Sequence, residues 1–199
     1  DMEWVLPQLI WHLEDLRVGQ CYPNYYVARL ASKFVKVVLS GAGGDELFGG
    51  YPWRYYRGLN CSNAQDYLER YYRFWQRLVP EGDREALFTS EVRAKVDLSE
   101  PRSIFEKVFT FNDRLSYDTP EQHINNSLYF EIKTFLPALL IVGDKLSMAH
   151  GLEERFPFLD NDLVDFAQRI PVRHKLGDLE MNKRIDENEF AKRRRYWEY

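Results

Sequence analysis

The stretch VVLSGAGGDELFGGY, residues 37–51, constrains the fold of this chain more than any other part of it. It continues a short apolar run, VKVVL, of the kind that forms a buried strand in a parallel sheet. Five of the ten residues after Ser40 are glycine, and glycine lets the main chain turn sharply and lets a ligand approach closely. Ligands of open α/β sheets bind just beyond the carboxyl ends of the strands. The sequence therefore predicts a ligand site at residues 40–44.

The segment before this strand has the pattern of a helix. Pro23 is compatible with a first helical turn, and the apolar residues that follow recur at the spacing of one helical face. We expect that face to lie against the core, directly before the strand. The residues concerned are Val27, Leu30, Ala31 and Phe34.

A second strong helical pattern follows the glycine-rich turn. The segment SNAQDYLERYYRFWQRLV has Ser62 and Gln65 in the spacing of a capping box, which predicts the beginning of a helix. Its apolar stripe predicts a helix that faces the core, with an aromatic ligand site as the less favoured interpretation. The stripe consists of Leu68, Tyr71, Tyr72, Trp75 and Leu78.

Two further helices are predicted nearer the C-terminus. One covers about 122–142, and the segment NDLVDFAQRI forms the other through Leu163, Phe166, Ala167 and Ile170. The highly charged stretch 176–199 is expected to be an exposed or truncated tail. One strand among at least five helices cannot form a sheet alone, so residues 1–175 are predicted to be part of an α/β domain.

Composition excludes several classes of function. The formal net charge of −4 gives no attraction to nucleic acid or to anionic lipid. No apolar run approaches the roughly 20 residues of a membrane helix, since the longest, FLPALLIV, contains Pro137. The only cysteines, Cys21 and Cys61, are too few for a disulfide framework or a zinc site. We therefore expect a cytoplasmic protein that binds neither nucleic acid nor membrane.

Two adjacent acids in a turn that otherwise suits an anion need an explanation. A bare carboxylate would repel a phosphate, but Mg²⁺ takes carboxylate and phosphate oxygens together. Asp45 is therefore expected to be a metal ligand, with Glu46 pointing away and bracing the turn. The alternative, equally favoured by spacing alone, is that both acids cap the N-terminus of a helix. The pattern matches neither the Walker loop nor the Gly-x-Gly-x-x-Gly dinucleotide turn.

Two long blocks carry a resemblance to a known family. LSGAGGDELFGGY and DKLSMAHGLEERFPFLDNDLVDFA, residues 39–51 and 144–167, resemble the signature blocks of the synthetase domain of glutamine-dependent asparagine synthetases. The resemblance covers most of residues 15–170. It implies the C-terminal, mostly helical part of a parallel-sheet domain like that of the adenine-nucleotide alpha hydrolases, in an enzyme of the ATP-pyrophosphatase type.

The resemblance also implies site residues and cofactors. Ser40, Gly41 and Gly43 would contact ATP, and Asp45 would be the catalytic residue that binds Mg²⁺ on the pyrophosphate. The second block, which runs from Asp144 through Lys145, Ser147 and Met148 to Asp160, would close the cleft. Within that block we expect Arg155 to form ion pairs with Glu153 and Asp160 rather than to contact substrate.

The chain departs from the family pattern in several places. Ala42 stands where these enzymes carry an acid tied to forming the aspartyl-adenylate. The Ser-Gly-Gly-x-Asp-Ser pyrophosphate loop, the later lysine segment and the N-terminal glutaminase domain are not recognisable. Neither Cys21 nor Cys61 is placed as the glutaminase nucleophile. We therefore expect this chain to be a piece of a longer protein and to be inactive alone.

The function predicted from the sequence is that of an ATP-dependent amidotransferase. It would adenylate aspartate and transfer glutamine-derived ammonia to make asparagine, with ATP, aspartate and ammonia as small-molecule partners. One alternative keeps the adenylation chemistry and changes the acceptor carboxylate, because of Ala42. Another is a helical assembly module without catalysis. A homo-oligomer is left open.

Overall fold

The computed structural model of the chain describes residues 2–15, 20–76, 79–110, 112 and 115–176. In chain order, its helices are α1 (Met2–Leu13), α2 (Cys21–Ala31), α3 (Gly44–Phe48), α4 (Pro52–Tyr55), α5 (Ala64–Trp75), α6 (Arg84–Leu87), α7 (Ser90–Arg93), α8 (Glu100–Thr110), α9 (Pro120–Phe130), α10 (Leu136–Met148) and α11 (Asn161–Arg169). The strands are β1 (Val37–Leu39) and β2 (Glu153–Arg155). A π-helical segment, Glu131–Phe135, joins α9 to α10.

The described residues divide into two compact units. The first lies within Asp1–Phe48 and Glu131–Arg169, and the second within Gly49–Phe130 and Ile170–Tyr199. The first unit contains both strands and the glycine-rich turn, whereas the described part of the second unit is helical. The chain is therefore mostly helical with a small parallel sheet, which is the coarse α/β class that the sequence predicts.

The sheet pairs β1 with β2 in parallel. Val38 lies opposite Glu154 in this register. Two hydrogen bonds extend the pairing beyond the strands, from the Glu153 N–H to the Lys36 carbonyl oxygen at 2.9 Å and from the Ser40 N–H to the Arg155 carbonyl oxygen at 2.8 Å. The sequence analysis found only β1, because β2 consists of three charged residues without the β-branched or aromatic side chains that mark a strand.

The prediction that β1 is buried is wrong. Leu39 is 74% exposed and Val37 is also exposed, whereas Val38 is half-buried. Parallel strands are buried on both faces only when helices cover both. Val38 points to the face of the sheet that the other elements of this unit cover, and within the described residues nothing buries Val37 and Leu39 on the opposite face.

The predicted core face of α2 is also wrong. Phe34 lies beyond the end of α2 and is 79% exposed, and Val27 and Leu30 are exposed as well. The buried face carries Cys21, Tyr25 and Ala28 instead, and packs with residues of α1 and α10. Both sets of residues have helical spacing, so the pattern predicts the helix correctly without deciding which of its two faces is covered.

The core of the second unit is an aromatic cluster, as the stripe on α5 predicts. Tyr71 and Tyr72 are buried, with Leu68 and Trp75 packed against the cluster; the predicted Leu78 lies outside the described residues. The buried members of the cluster come from α5, α8 and α9 and are Tyr67, Tyr71, Tyr72, Phe105, Phe109 and Phe130. Offset and edge-on ring pairs of this kind stabilise a core beyond the area that they bury.

The beginning of α5 lies one residue later than the capping box predicts. The N-cap is Asn63, whose side-chain oxygen accepts a hydrogen bond from the Asp66 N–H at 3.0 Å. Asp66 in turn accepts one from the Ser62 N–H at 3.0 Å. The cap is therefore formed by Asn63 and Asp66 rather than by Ser62 and Gln65, and the Asp66 carboxylate accepts from the N–H of the residue before the N-cap.

The two helices predicted nearer the C-terminus are present, but their bounds and their buried residues differ from the prediction. The π-helical segment interrupts the predicted run 122–142, and Pro137, which has no N–H to donate, lies in the first turn of α10. In α11, Ala167 is fully buried as expected, but Phe166 is exposed. Leu176, placed at the start of the predicted tail, is buried in the second unit, and 177–199 lie outside the described residues.

None of the helices that the structure describes is long and apolar enough to cross a membrane.

The observed cap of α5 gives a stability prediction. Asn63→Ala should lower the free energy of unfolding by about 1 kcal/mol, because the Asp66 N–H loses its acceptor. Ser62→Ala is the matched control, because it keeps the main-chain N–H that bonds to Asp66 and should cost clearly less. Urea unfolding of both variants measures the two losses, and a larger loss at Ser62 would contradict the observed cap.

Candidate functional site

The first unit contains a cavity of about 470 Å³ that opens beside the glycine-rich turn. This volume is in the range of small-molecule sites, about 300–1,000 Å³. Its walls come from α2, α10, both strands and the beginning of the turn. The residues that line the cavity include Val38, Ser40, Ala42, Gly143, Ser147 and Glu154.

The turn after β1 is held in shape by its own hydrogen bonds. The Ala42 N–H donates to Ser40 Oγ at 3.3 Å, the Gly43 N–H donates to Glu46 Oε2 at 3.0 Å, and the Gly44 N–H donates to the Gly41 carbonyl oxygen at 3.2 Å. The sequence predicted a ligand site at residues 40–44, where main-chain N–H groups could bind a ligand. In the structure they rigidify the turn, so the groups left to face a ligand are the Ser40 hydroxyl and Gly41.

Two of the glycines of this turn, Gly41 and Gly43, have different roles in the structure. Gly43 has a positive φ of 95° and is buried, and a Cβ atom there would collide with the Leu159 side chain. Gly41 is exposed, and a Cβ atom there would meet nothing within 4 Å. Gly43 is thus required by conformation and packing, whereas Gly41 leaves open space. The predicted nucleotide contacts of Ser40, Gly41 and Gly43 stay predictions.

The adjacent acids point in different directions, as the sequence analysis expects. Glu46 is buried and braces the turn through the Gly43 N–H, which is also the bond that a helix-capping acid would make. Asp45 is exposed, and no described residue forms a hydrogen bond or ion pair with its carboxylate. Glu46 therefore braces the turn as expected, and the role of Asp45 stays a prediction.

The exposed carboxylate of Asp45 is compatible with the predicted role as a ligand for a nucleotide-bound Mg²⁺. Protein sites usually hold Mg²⁺ through one or two carboxylates, while waters and substrate phosphates complete its coordination. Within the described ranges, no group of three or more His, Cys, Asp or Glu side chains is placed to hold a metal. A single accessible carboxylate such as Asp45 fits an ion that arrives with the nucleotide. Its role as metal ligand and catalytic residue stays a prediction.

The second signature block is held by local interactions. Arg155 Nε donates to Glu153 Oε1 at 2.8 Å, which confirms the expected ion pair. The expected pair between Arg155 and Asp160 is not formed, because Asp160 caps α11 by accepting bonds from the N–H groups of Asp162 and Leu163. The turn Pro157–Leu159 leads into that cap, as the sequence analysis expects.

Lys145 closes the end of α1. Its ammonium group donates to the Leu13 carbonyl oxygen at 3.1 Å and pairs with Glu14 Oε2 at 2.6 Å. Its hydrogen bond and positive charge lower the pKa of the Glu14 carboxyl. Ser147 Oγ donates to the Gly143 carbonyl oxygen at 2.6 Å within α10. Asp144 and Met148 are exposed.

Sequence reasoning missed Glu154 as a residue of this cavity. Its carboxylate lies against the helix backbone at Gly143, and it lines the cavity together with Ser40 and Ala42. The signal in the sequence was the doubled acid of Glu153 and Glu154, which strand alternation places on opposite faces. Without β2, that alternation could not be applied.

Neither cysteine has the environment of a nucleophile. Cys21 is buried in the core of the first unit. Cys61 donates to the Gly58 carbonyl oxygen at 3.2 Å, and burial raises the pKa of its thiol to about 11. Because the thiolate is the reactive form, Cys61 is protonated and unreactive at neutral pH. This agrees with the expectation that neither cysteine is the nucleophile of a glutaminase.

Comparison with known proteins identifies the family. The asparagine synthase family model matches residues 1–191, and the chain therefore belongs to the asparagine synthase family. It is 32% identical over 191 residues to the glutamine-hydrolyzing asparagine synthetase 1 of Bacillus subtilis (strain 168), covering 83% of this chain and 30% of that protein.

Other relatives give the same result. The chain is 32% identical over 195 residues to a putative glutamine-hydrolyzing asparagine synthetase of Mycobacterium tuberculosis (strain H37Rv), covering 86% of this chain and 30% of that protein. A 30-residue match at 67% identity to a putative glutamine-hydrolyzing asparagine synthetase 2 of Methanocaldococcus jannaschii covers 15% of this chain and 6% of that protein. The chain spans about 30% of the length of the first two relatives.

Gly41 and Gly43 give a matched pair of variants. Gly43→Ala should destabilise the protein by about 1–3 kcal/mol, because alanine is strained at positive φ and its Cβ atom would displace Leu159. Gly41→Ala should change the free energy of unfolding by less than about 0.5 kcal/mol, because its Cβ atom points into open space. Urea unfolding measures both. Equal losses at the two positions would contradict the observed turn.

Proposed function

We propose that the protein containing this chain is an ATP-dependent ligase that adenylates aspartate and then converts the adenylate to asparagine with glutamine-derived ammonia. The main support is the arrangement after β1, where Ser40 and Ala42 line a ligand-sized cavity and the exposed Gly41 and Asp45 lie in the same turn. Membership in the asparagine synthase family and the names of the relatives support the reaction and the nitrogen source.

The proposed reaction has two steps. An oxygen of the aspartate side-chain carboxylate attacks the α-phosphorus of ATP, a P–O bond forms, and pyrophosphate leaves. Ammonia then attacks the carbonyl carbon of the acyl-adenylate, AMP leaves with the electrons of the C–O bond, and a proton is lost from nitrogen. The first step concentrates negative charge between the α- and β-phosphates, so positively polarised groups placed there accelerate it.

The residues of the turn have separate roles in this proposal. Ser40 and Gly41 contact the AMP part of the nucleotide, with the hydroxyl as hydrogen-bonding group and the bare glycine as space for close approach. Gly43 and Glu46 keep the turn in the conformation that presents them. Asp45 holds Mg²⁺ on the pyrophosphate, and this ion, when bound, supplies charge stabilisation for the departing pyrophosphate.

The wider setting is also part of the proposal. The two-stranded sheet would belong to an adenine-nucleotide alpha-hydrolase-like domain, and this chain would be inactive without the pyrophosphate-loop and glutaminase segments. Neither Cys21 nor Cys61 forms a disulfide among the described residues, which is compatible with a reducing cytoplasm. ATP, aspartate and ammonia are the proposed small-molecule partners.

The role of Asp45 can be tested in the protein expressed at the full length of its gene. Asp45→Asn should lower aspartate-dependent ATP–pyrophosphate exchange at least about tenfold, because an amide is a poor replacement for a charged metal ligand. The assay follows radioactive pyrophosphate into ATP at saturating Mg²⁺.

Asp162→Asn is the matched control, since it removes the same charge from an exposed position in the same unit. Exchange by this variant should equal that of the parent protein. If Asp45→Asn leaves the exchange rate unchanged, Asp45 is not part of the site. If the parent protein shows no ATP–pyrophosphate exchange with any carboxylic acid, the proposed function itself is contradicted.

A further inference from the structure

Glu154 projects into the cavity beside the glycine-rich turn. Paired residues of parallel strands point to the same face, so Glu154 shares a face with its partner Val38 and with Ser40, two residues further along. All three line the cavity. Arg155 and Glu153 lie on the opposite face, where they pair with each other. The register of the sheet therefore places one acid of the doubled pair in the cavity and the other outside it.

The carboxylate of Glu154 has no compensating charge. No described residue donates a hydrogen bond to it or forms an ion pair with it. Among the described residues that line the cavity, it is the one charged side chain, and most of the others are apolar. A partly desolvated carboxylate is unfavourable unless a cation or hydrogen-bond donors satisfy it. This cavity therefore suits a ligand that brings a positive charge.

The helix that faces Glu154 leaves room for its carboxylate. Gly143 lies within α10, where glycine is unfavourable for the helix. A Cβ atom at this position would lie only 2.5 Å from Glu154 Oε2. The missing side chain at 143 thus allows the carboxylate to occupy its present position. This is a second observation, independent of the strand register, that a specific space is kept for the acid.

The chemistry of the cavity favours an ammonium group over a metal ion. A divalent cation needs about six oxygen ligands and favours several carboxylates or waters, whereas this cavity offers one carboxylate, the amides of Gln20 and Asn24 and two serines in a mostly apolar lining. One of these serines, Ser147, is already bonded to a main-chain carbonyl. A protonated amine carries one positive charge and needs few acceptors. It forms a charge-assisted hydrogen bond with a carboxylate, which is among the stronger polar interactions in proteins.

We propose that Glu154 determines acceptor specificity by binding the cationic amino group of the carboxylic acid that is adenylated. This inference rests on the proposed function and adds to it the side chain that recognises the protonated amine of the acceptor. Ala42, which also lines the cavity, is small and uncharged, so it leaves this recognition to Glu154. The acid acts on binding and orientation of the acceptor and takes no part in transferring the adenylyl group.

The test compares aspartate with succinate, which is aspartate without its amino group. Binding of each to the full-length protein is measured by calorimetry in the presence of Mg²⁺ and a non-hydrolysable ATP analogue, and exchange is measured in parallel with ATP. Glu154→Gln, which removes the charge and keeps the shape, should weaken aspartate binding at least about tenfold. Affinity for succinate and the KM for ATP should be unchanged.

Three further variants separate recognition from damage to the fold. Glu153→Gln changes the acid on the other face of β2 and should leave aspartate binding intact. Glu154→Asp keeps the charge and should retain a preference for aspartate over succinate. Gly143→Ala should reduce that preference as Glu154→Gln does, because its Cβ atom forces the carboxylate to move.

Several results would overturn the inference. These are equal loss of aspartate and succinate binding in Glu154→Gln, a rise in the KM for ATP alone, and failure of the parent protein to prefer aspartate. Absence of exchange with every carboxylate would contradict the proposed function, while a charge-dependent preference for aspartate in calorimetry would still support Glu154 as the binder of the amine.

Discussion

The parallel pairing of β1 with β2 is the interaction on which the candidate site depends. The hydrogen bond from the Ser40 N–H to the Arg155 carbonyl oxygen carries this pairing past the end of β1 and into the turn. It fixes where the turn begins and which side chains face the cavity. A slip of one residue would bring Glu153 into the cavity and send Glu154 to the opposite face, because side chains alternate along a strand. The site is thus set by register as much as by residue type.

Neighbouring residues of the turn have different structural roles. Glu46 is buried and satisfies the Gly43 N–H, whereas Asp45, in the same turn of a short helix, is exposed. Gly43 provides the backbone conformation, while Gly41 provides the space. A rigid turn that presents one carboxylate and one open glycine suits a nucleotide that carries its own metal ion better than it suits a bare anion.

The sequence predicted β1, α2, α5, α11 and the helical region of α9 and α10, but not α1, α8 or β2, and it predicted the environments of these elements poorly. The turn, the predicted helices and the aromatic core follow from local patterns of glycine, caps and apolar spacing. The exposure of Leu39 and Phe34 does not, because an apolar stripe indicates that a face can be buried without saying what covers it. The N-cap is Asn63 and not Ser62, one residue later than predicted, since these two adjacent polar residues are both of a type that caps helices.

The site was predictable only where it lies on a recognisable strand. Ser40, Gly41 and Asp45 follow β1, whose apolar residues mark it as a strand. Glu154 lies on β2, a three-residue strand of charged side chains that pairs only because β1 offers its edge. Its role depends on a contact between segments more than a hundred residues apart, and no local pattern reports such a contact. Family resemblance likewise gives no role to a residue outside the shared motif positions.

The most direct test of the central claim is a crystal structure of the full-length protein with a non-hydrolysable ATP analogue and Mg²⁺. We expect density for the nucleotide against Ser40 and Gly41. A metal ion should lie between the phosphates and the Asp45 carboxylate, with the nearest carboxylate oxygen about 2.0–2.1 Å from the ion. Nucleotide bound elsewhere, with Asp45 still facing solvent and no metal ion beside it, would contradict the assignment of this turn as the nucleotide site.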